Sequence, residues 1–323
     1  MYYLGIDLGG TNIAAGVIDE SGHLLCKISS PTGFPCPPEE LCDRIGQTAQ
    51  KAILESGNLP ISAAGIGCPG SVNQKKGMVE LLPNLSLHHF PMRDELQKRL
   101  HLPVEVDNDA NAAAYGEFRA GALMGTQNAV AVTLGTGVGS GIILDGKIYT
   151  GQNGAAGEIG HTVIQRNGRA CNCGRKGCWE RYASATGLIW TTRELLEQDV
   201  EKSSVIWQMI ENNLNRISGR SAFNAMRQGD ALGQKIVDIY IADLSCGIIN
   251  IINSLQPDKI CIGGGISHEG ESLLAPMRRI VDKEQFVTNS LLNTELVCAQ
   301  LGNDAGIIGA ALLGADQDQK KNV

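Results

Sequence analysis

The sequence predicts an α/β protein made of two related halves. Three observations carry that prediction. A strand–glycine turn–strand unit opens the chain at residues 2–18 and returns at 129–144. Short apolar runs ending on turn residues alternate with helical patterns through the first half. At 323 residues the chain exceeds one ordinary compact core, so two domains are expected.

The elements follow in order. Tyr2 to Asp7 is an apolar strand, Leu8-Gly9-Gly10-Thr11-Asn12 a turn, and Ile13 to Ile18 a second strand. Asp19 to Gly22 is another turn. A helix is expected over roughly 38–56, with Pro37 and Pro38 before it and Gly57 after it. Ala63 to Gly67 is a buried strand running into the turn Cys68-Pro69-Gly70-Ser71. Residues 92–100 read as helix and Pro103 to Val106 as a short strand. At 129–144 the opening unit returns. DLGGTNIAAGVI (7–18) lies on TLGTGVGSGIIL (133–144) without a gap, which suggests a duplicated half. Beyond residue 180 the patterns are mostly helical. The longest, 231–255, stops before Pro257, and Asp258 to Ile262 form a strand before Gly263-Gly264-Gly265. A small-residue helix comes after Gly302-Asn303-Asp304. The boundary is set in the glycine-rich stretch Ala120 to Gln127. That gives an N-terminal lobe of 1–120, with the terminal helix of about 304–323 packing back on it, and a C-terminal lobe of 121–303.

A net charge of −7 and 19% charged residues argue against a general binder of nucleic acid or of membrane surfaces. The N-terminus lacks a basic region and a long apolar run, so it does not read as a signal peptide. No run of about 18 apolar residues is present, so no membrane span is expected. Seven of the ten cysteines are scattered, which suits reduced thiols and a cytoplasmic protein.

Two glycine turns between paired strands can hold a nucleotide. Successive backbone N–H groups converge on phosphate, and glycine removes the Cβ that would block the approach. Gly9, Gly10, Thr11 and Asn12 form one such turn, and Gly135, Thr136 and Gly137 form the other. Gly263 to Gly265 offer a third loop. Each hairpin alone is equally a structural turn; the set points to a nucleotide. Asp7 could hold Mg²⁺ through water. The chain has no GxxxxGK[ST]. In GTGVGSG, Ser140 fills the third glycine position of a dinucleotide fingerprint, and the residues after it are strand-like rather than helical.

Asp107, Asn108, Asp109 and Asn111 crowd one strand-to-helix junction, the place where ligands bind in open α/β sheets. One of them is explained by helix capping. A carboxylate there could also take a proton from a hydroxyl that attacks a γ-phosphate. Glu158 and His161, three apart, share a face on a helical turn.

Cys171, Cys173 and Cys178 stand within eight positions, followed by Trp179 and Glu180. With His161 they make a Cys₃His set, the closed donor set of a structural Zn²⁺. The alternative is a group of ordinary buried thiols. Four ligands leave no open position, so a catalytic metal is not expected there. The metal would tie the loop to His161 and fix Glu158 and Glu180.

Asp7 to Thr11, Asn108 to Asn111, Leu134 to Gly139, Gly157 to His161 and the Cys171–Glu180 loop stand in the order of the ROK family (repressors and sugar kinases). The chain resembles that family from residue 4 to about 313. The resemblance implies an actin-like ATPase fold, a duplicated ribonuclease-H-like architecture with two lobes closing on the substrates. It implies that Asp109 is a general base, that Asn108, Glu158, His161 and Glu180 hold sugar hydroxyls, and that His161 also binds the zinc. Gly70 and Ser71 match a loop beside the sugar, and Asn84 a Pro-Asn-Leu found in the family's glucokinases. Gly263 to Gly265 resemble the adenosine-side loop.

The family's repressors carry an N-terminal helix-turn-helix domain. Here the first hairpin starts at Tyr2, so the chain looks like a kinase, most like the bacterial glucokinases, and a homodimer is implied. Kinases for N-acetylmannosamine, fructose or allose share these pocket residues. A sugar-sensing regulator without turnover and an actin-like ATPase acting on proteins are the readings from other classes.

Overall fold

Glycine and alanine decide how closely the first sheet meets its helices. In this computed structural model, which describes residues 1–82, 85–288 and 292–321, Tyr2–Leu8 pairs antiparallel with Asn12–Asp19 and sets Gly5 opposite Gly16. A Cβ on Gly5 would lie 1.9 Å from the Ile307 carbonyl oxygen, and one on Gly65 would lie 1.9 Å from that of Ala310. The terminal helix, Ala305–Lys321, therefore lies directly on the sheet. Gly116 and Gly309 allow the same close approach between that helix and Asp109–Ala120. The small residues that mark AGIIGAALLGA thus fix the helix that begins at Asp109.

The first sheet runs Leu24–Pro31, Asn12–Asp19, Tyr2–Leu8, Ile61–Cys68, Val104–Asn108. Its last three strands are parallel, joined by Pro38–Glu55 and Met92–Leu100. The second sheet runs Lys147–Ile148, Val138–Leu144, Ala129–Leu134, Lys259–Gly263, Glu295–Cys298. Numbered within each half, both orders are 3-2-1-4-5. The duplication suggested by residues 7–18 and 133–144 is therefore a duplication of topology, and the fold is the actin-like ATPase fold.

By internal contacts the chain divides into two units. The first holds Met1–Ala131, Ser140–Gly157 and Ala299–Val323, so the terminal helix belongs with the N-terminal sheet. Its core is Leu4, Ile6 and Leu8 with Ile13, Ile45, Ile66 and Val106. Glu117, 2% exposed, accepts the Ala122, Gln300 and Leu301 N–H groups and ties the chain before the terminal helix to Asp109–Ala120. The second unit holds Val132–Gly139 and Glu158–Cys298. Its long helix, Ala231–Leu255, carries Ile236, Tyr240, Leu244, Ile248 and Ile252 inside.

That helix bears on the expected absence of a membrane span. By length and composition it is apolar enough to cross a membrane, although no uninterrupted apolar run of that length exists; 61% of its most apolar window is buried inside the protein. Such burial is what a core helix needs. Two further features are not foreseen in the sequence. Leu24–Pro31 alternates half-buried and exposed positions at the sheet edge, and Ser71–Asn73, Met78–Leu82 and Leu87–Phe90 form a small antiparallel sheet.

Candidate active site

In the first unit, strand Val104–Asn108 hands over to helix Asp109–Ala120 with no intervening loop. Asn108 caps the helix: its Oδ1 accepts the Ala110 N–H at 2.9 Å and the Asn111 N–H at 3.2 Å. Its Nδ2 donates to the Gly70 carbonyl at 2.9 Å. Capping therefore accounts for Asn108 and leaves Asp109 as the first helical residue, with Oδ1 2.8 Å from the Ala110 nitrogen. Burial raises the Asp109 carboxyl above its ordinary range, against the lowering effect of the Ala110 N–H.

Asp7, next to last in the strand Tyr2–Leu8, lies close enough to feel that charge. Burial, then the negative charge of Asp109, push its carboxyl up to about 6, while Lys27 pulls it down. A divalent cation would relieve this crowding, so the Asp7 environment fits Mg²⁺. The adjoining turn is closed by the Gly9 N–H on the Asn12 carbonyl at 2.9 Å, and the Thr32 N–H donates to the Thr11 carbonyl at 2.8 Å. A Cβ on Gly10 would meet nothing within 4 Å, so the turn has an open side. Gly70 has φ +84°, and Ser71 starts the strand Ser71–Asn73. Asn84 lies outside the described residues.

In the second unit, the Gly135 N–H donates to the Gly137 carbonyl at 3.0 Å and closes the matching turn. Thr136 is fixed by its carbonyl, which accepts the Thr186 hydroxyl at 2.8 Å. Gly264, at φ +84°, sits so close to Leu134 that a Cβ would lie 2.4 Å from the Leu134 carbonyl oxygen. Strand Lys259–Gly263 thus delivers the Gly263–Gly265 loop beside the Gly135 turn. Gly135 and Gly265 both leave open space where a Cβ would stand. Backbone turns with open, Cβ-free faces fit the phosphates of a nucleotide.

The cysteine loop folds back on itself through bridges Val163–Cys178 and Ala170–Lys176. His161, on the short 3₁₀ turn Ile159–His161, joins Cys171, Cys173 and Cys178, and the four donor atoms lie within 4.8 Å of one another. Cys171 Sγ is 3.6 Å from His161 Nδ1, and Cys173 Sγ is 3.6 Å from Cys178 Sγ. A tetrahedral ion with metal–sulfur bonds of about 2.3 Å has sulfur–sulfur edges of about 3.8 Å, so the set fits zinc. Burial and the neighbouring thiols push Cys178 up to about 12, a penalty that a bound cation reverses. Glu158 is exposed, with its Oε2 3.9 Å from His161 Nε2.

Glu180 leaves the loop toward the glycine turn: its Oε2 accepts the Val138 N–H at 3.1 Å. Trp179, singled out in the sequence only as the neighbour of Cys178, is the anchor. It is fully buried, its Nε1 donates to the Asp243 carbonyl at 3.0 Å, and Gly247 on the long helix leaves room for its ring. A large apolar residue between a ligand cysteine and a glutamate was the available signal.

The ROK family model matches residues 3–317. Glucokinase of Thermotoga maritima is 38% identical, with 95% of each chain covered. Glucokinase of Streptomyces coelicolor is 35% identical, with 98% of each covered. The solved ROK family glucokinase of Streptomyces griseus, in complex with glucose and AMPPNP, superposes with a TM-score of 0.82 at 35% identity and covers 98% of this chain and 100% of its own.

Proposed function

This chain belongs to the ROK family, and on that premise we propose that it is an ATP-dependent glucokinase, transferring the γ-phosphate of ATP to the 6-hydroxyl of glucose. The observation that carries the reading is the division of labour at the strand–helix junction. Asn108 caps the helix, and the adjacent Asp109 carboxylate, with its raised proton affinity, is assigned the role of base. Asp109 takes the 6-hydroxyl proton as that oxygen bonds to the γ-phosphorus, and the bond from phosphorus to the β-bridging oxygen breaks, releasing ADP.

Asn108, Glu158, His161 and Glu180 are each assigned to sugar hydroxyls by family likeness. Gly70, Ser71 and Asn84 are assigned to the same sugar. The amides of Gly9–Asn12 and Gly135–Gly137 hold phosphates, and Gly263–Gly265 face the adenosine. Mg²⁺, held beside Asp7, would neutralise phosphate charge. Zinc on His161, Cys171, Cys173 and Cys178 would be structural. We assign the enzyme to the cytoplasm, which agrees with ten cysteines free of disulfides, and to a homodimer by family likeness.

The second reading is a kinase for another hexose, with the segment from Ser71 to Asn84 as the part that would set the choice of sugar. A coupled assay of ADP release over glucose, N-acetylmannosamine, fructose, allose and two further hexoses tests both. Release with none of them would instead favour a sugar-binding regulator.

A further inference from the structure

We propose that Asp107 is a positioning residue that locks the hairpin of residues 70–82 against the start of the Asp109 helix; the proposal rests on the kinase reading. Asp107 is 2% exposed and takes no part in the assigned chemistry. One of its oxygens accepts the Asn108 N–H at 2.6 Å and Asn111 Nδ2 at 3.0 Å. The other accepts Gln74 Nε2. Gln74 belongs to the turn between Ser71–Asn73 and Met78–Leu82.

Asn108 grips the other end of that hairpin, through Nδ2 to the Gly70 carbonyl. Two successive residues of one strand thus hold both ends of the segment that carries Ser71. Arg93 supports the turn from outside, donating to the Gln74 carbonyl at 2.7 Å and the Lys75 carbonyl at 3.2 Å. A carboxylate suits position 107 because three donors converge there and it supplies only acceptors. Removing it would leave buried donors without partners, the costly outcome for such a network. The base and the sugar-side hairpin are therefore set in register by one side chain.

The link can be inverted without changing its shape. Gln74 and Asp107 line a cavity of about 630 Å³, so isosteric exchanges have room. In Gln74→Glu two carboxylates would face each other. Adding Asp107→Asn lets the new amide donate to the new carboxylate at position 74, while its oxygen keeps the Asn108 and Asn111 donors. Hydrogen–deuterium exchange of residues 71–82 and steady-state kinetics on glucose read the pair.

Q74E is expected to speed hairpin exchange and raise KM for glucose on the order of tenfold, with kcat changed less than about twofold. Q74E/D107N is expected to restore both toward the wild type. D107A, which releases the helix start as well, is expected to lower kcat in addition. A double variant as impaired as Q74E, or Q74E with wild-type exchange, overturns the proposal. A wild type that phosphorylates no sugar refutes the kinase reading, and the exchange data then decide the link alone.

Discussion

Glu180 Oε2 accepts the Val138 N–H at 3.1 Å, joining the residue two positions after the last loop cysteine to the second glycine turn. Between them stands Gly137, where a Cβ would lie 2.4 Å from that same oxygen. Position 137 must be glycine for the glutamate to reach the amide. The clash involves the end of a side chain, so a methyl group there moves Glu180 rather than unfolding the turn. Gly137→Ala should keep Tm within about 3 °C and reduce kcat/KM for glucose at least about tenfold. Wild-type kinetics in that variant would separate Glu180 from the substrate.

Trp179 and Gly247 make a comparable pair, with the stakes in stability. A Cβ on Gly247 would lie 2.0 Å from the indole ring, inside a core with no room to give. Gly247→Ala should destabilise the protein by about 1–3 kcal/mol through overpacking. Denaturant unfolding followed by tryptophan fluorescence measures it; an unchanged midpoint would mean that the ring is not pinned there.

The cysteine loop predicts a metal-dependent effect on sugar affinity. Cys173→Ser should bind substoichiometric zinc by plasma mass spectrometry. It should raise KM for glucose because Glu180 and His161 lose their support, with Asp109 unaffected. If metal-free protein phosphorylates glucose normally, the loop does not support the sugar site.

Much of this was legible in the residues. The strand–glycine–strand repeat announced both sheets because backbone turns need glycine at fixed positions. The long helical patterns were legible because Pro37, Pro38 and Pro257 bound them. The Cys/His donor set stood out because cysteine is scarce and the spacing is tight. Leu24–Pro31 escaped because it lies at a sheet edge, where its pairing with Asn12–Asp19 gives it order and its side chains are at most half-buried. The hairpin that Asp107 and Gln74 hold escaped because a buried carboxylate and an amide 33 positions away carry no local pattern. Trp179 carried no assigned role in the sequence, because its socket at Gly247 lies far along the chain.

The acid side of the pH profile follows from the buried carboxyls. A base acts when ionised, and burial raises Asp109 above its ordinary value of 3.8. Activity should therefore be full above the raised value and fall as pH drops through it, at higher pH than for an exposed aspartate. Asp7, pushed up to about 6, adds its own loss as pH falls through that value. Measured as kcat/KM for glucose between about pH 4.5 and 8.5, the acid limb should lie above pH 4. A profile flat through about pH 6 and down to about pH 4.5 would contradict a role for the buried Asp7 carboxylate.

The central claim is that Asp109 removes the proton from the 6-hydroxyl of glucose. The direct test is ADP release by the wild type and Asp109→Asn with saturating ATP, Mg²⁺ and glucose, alongside glucose binding to both by calorimetry. The account predicts turnover by the wild type, and a variant that binds glucose but is slower by about 10²–10⁴-fold. Near-normal turnover by Asp109→Asn would contradict it.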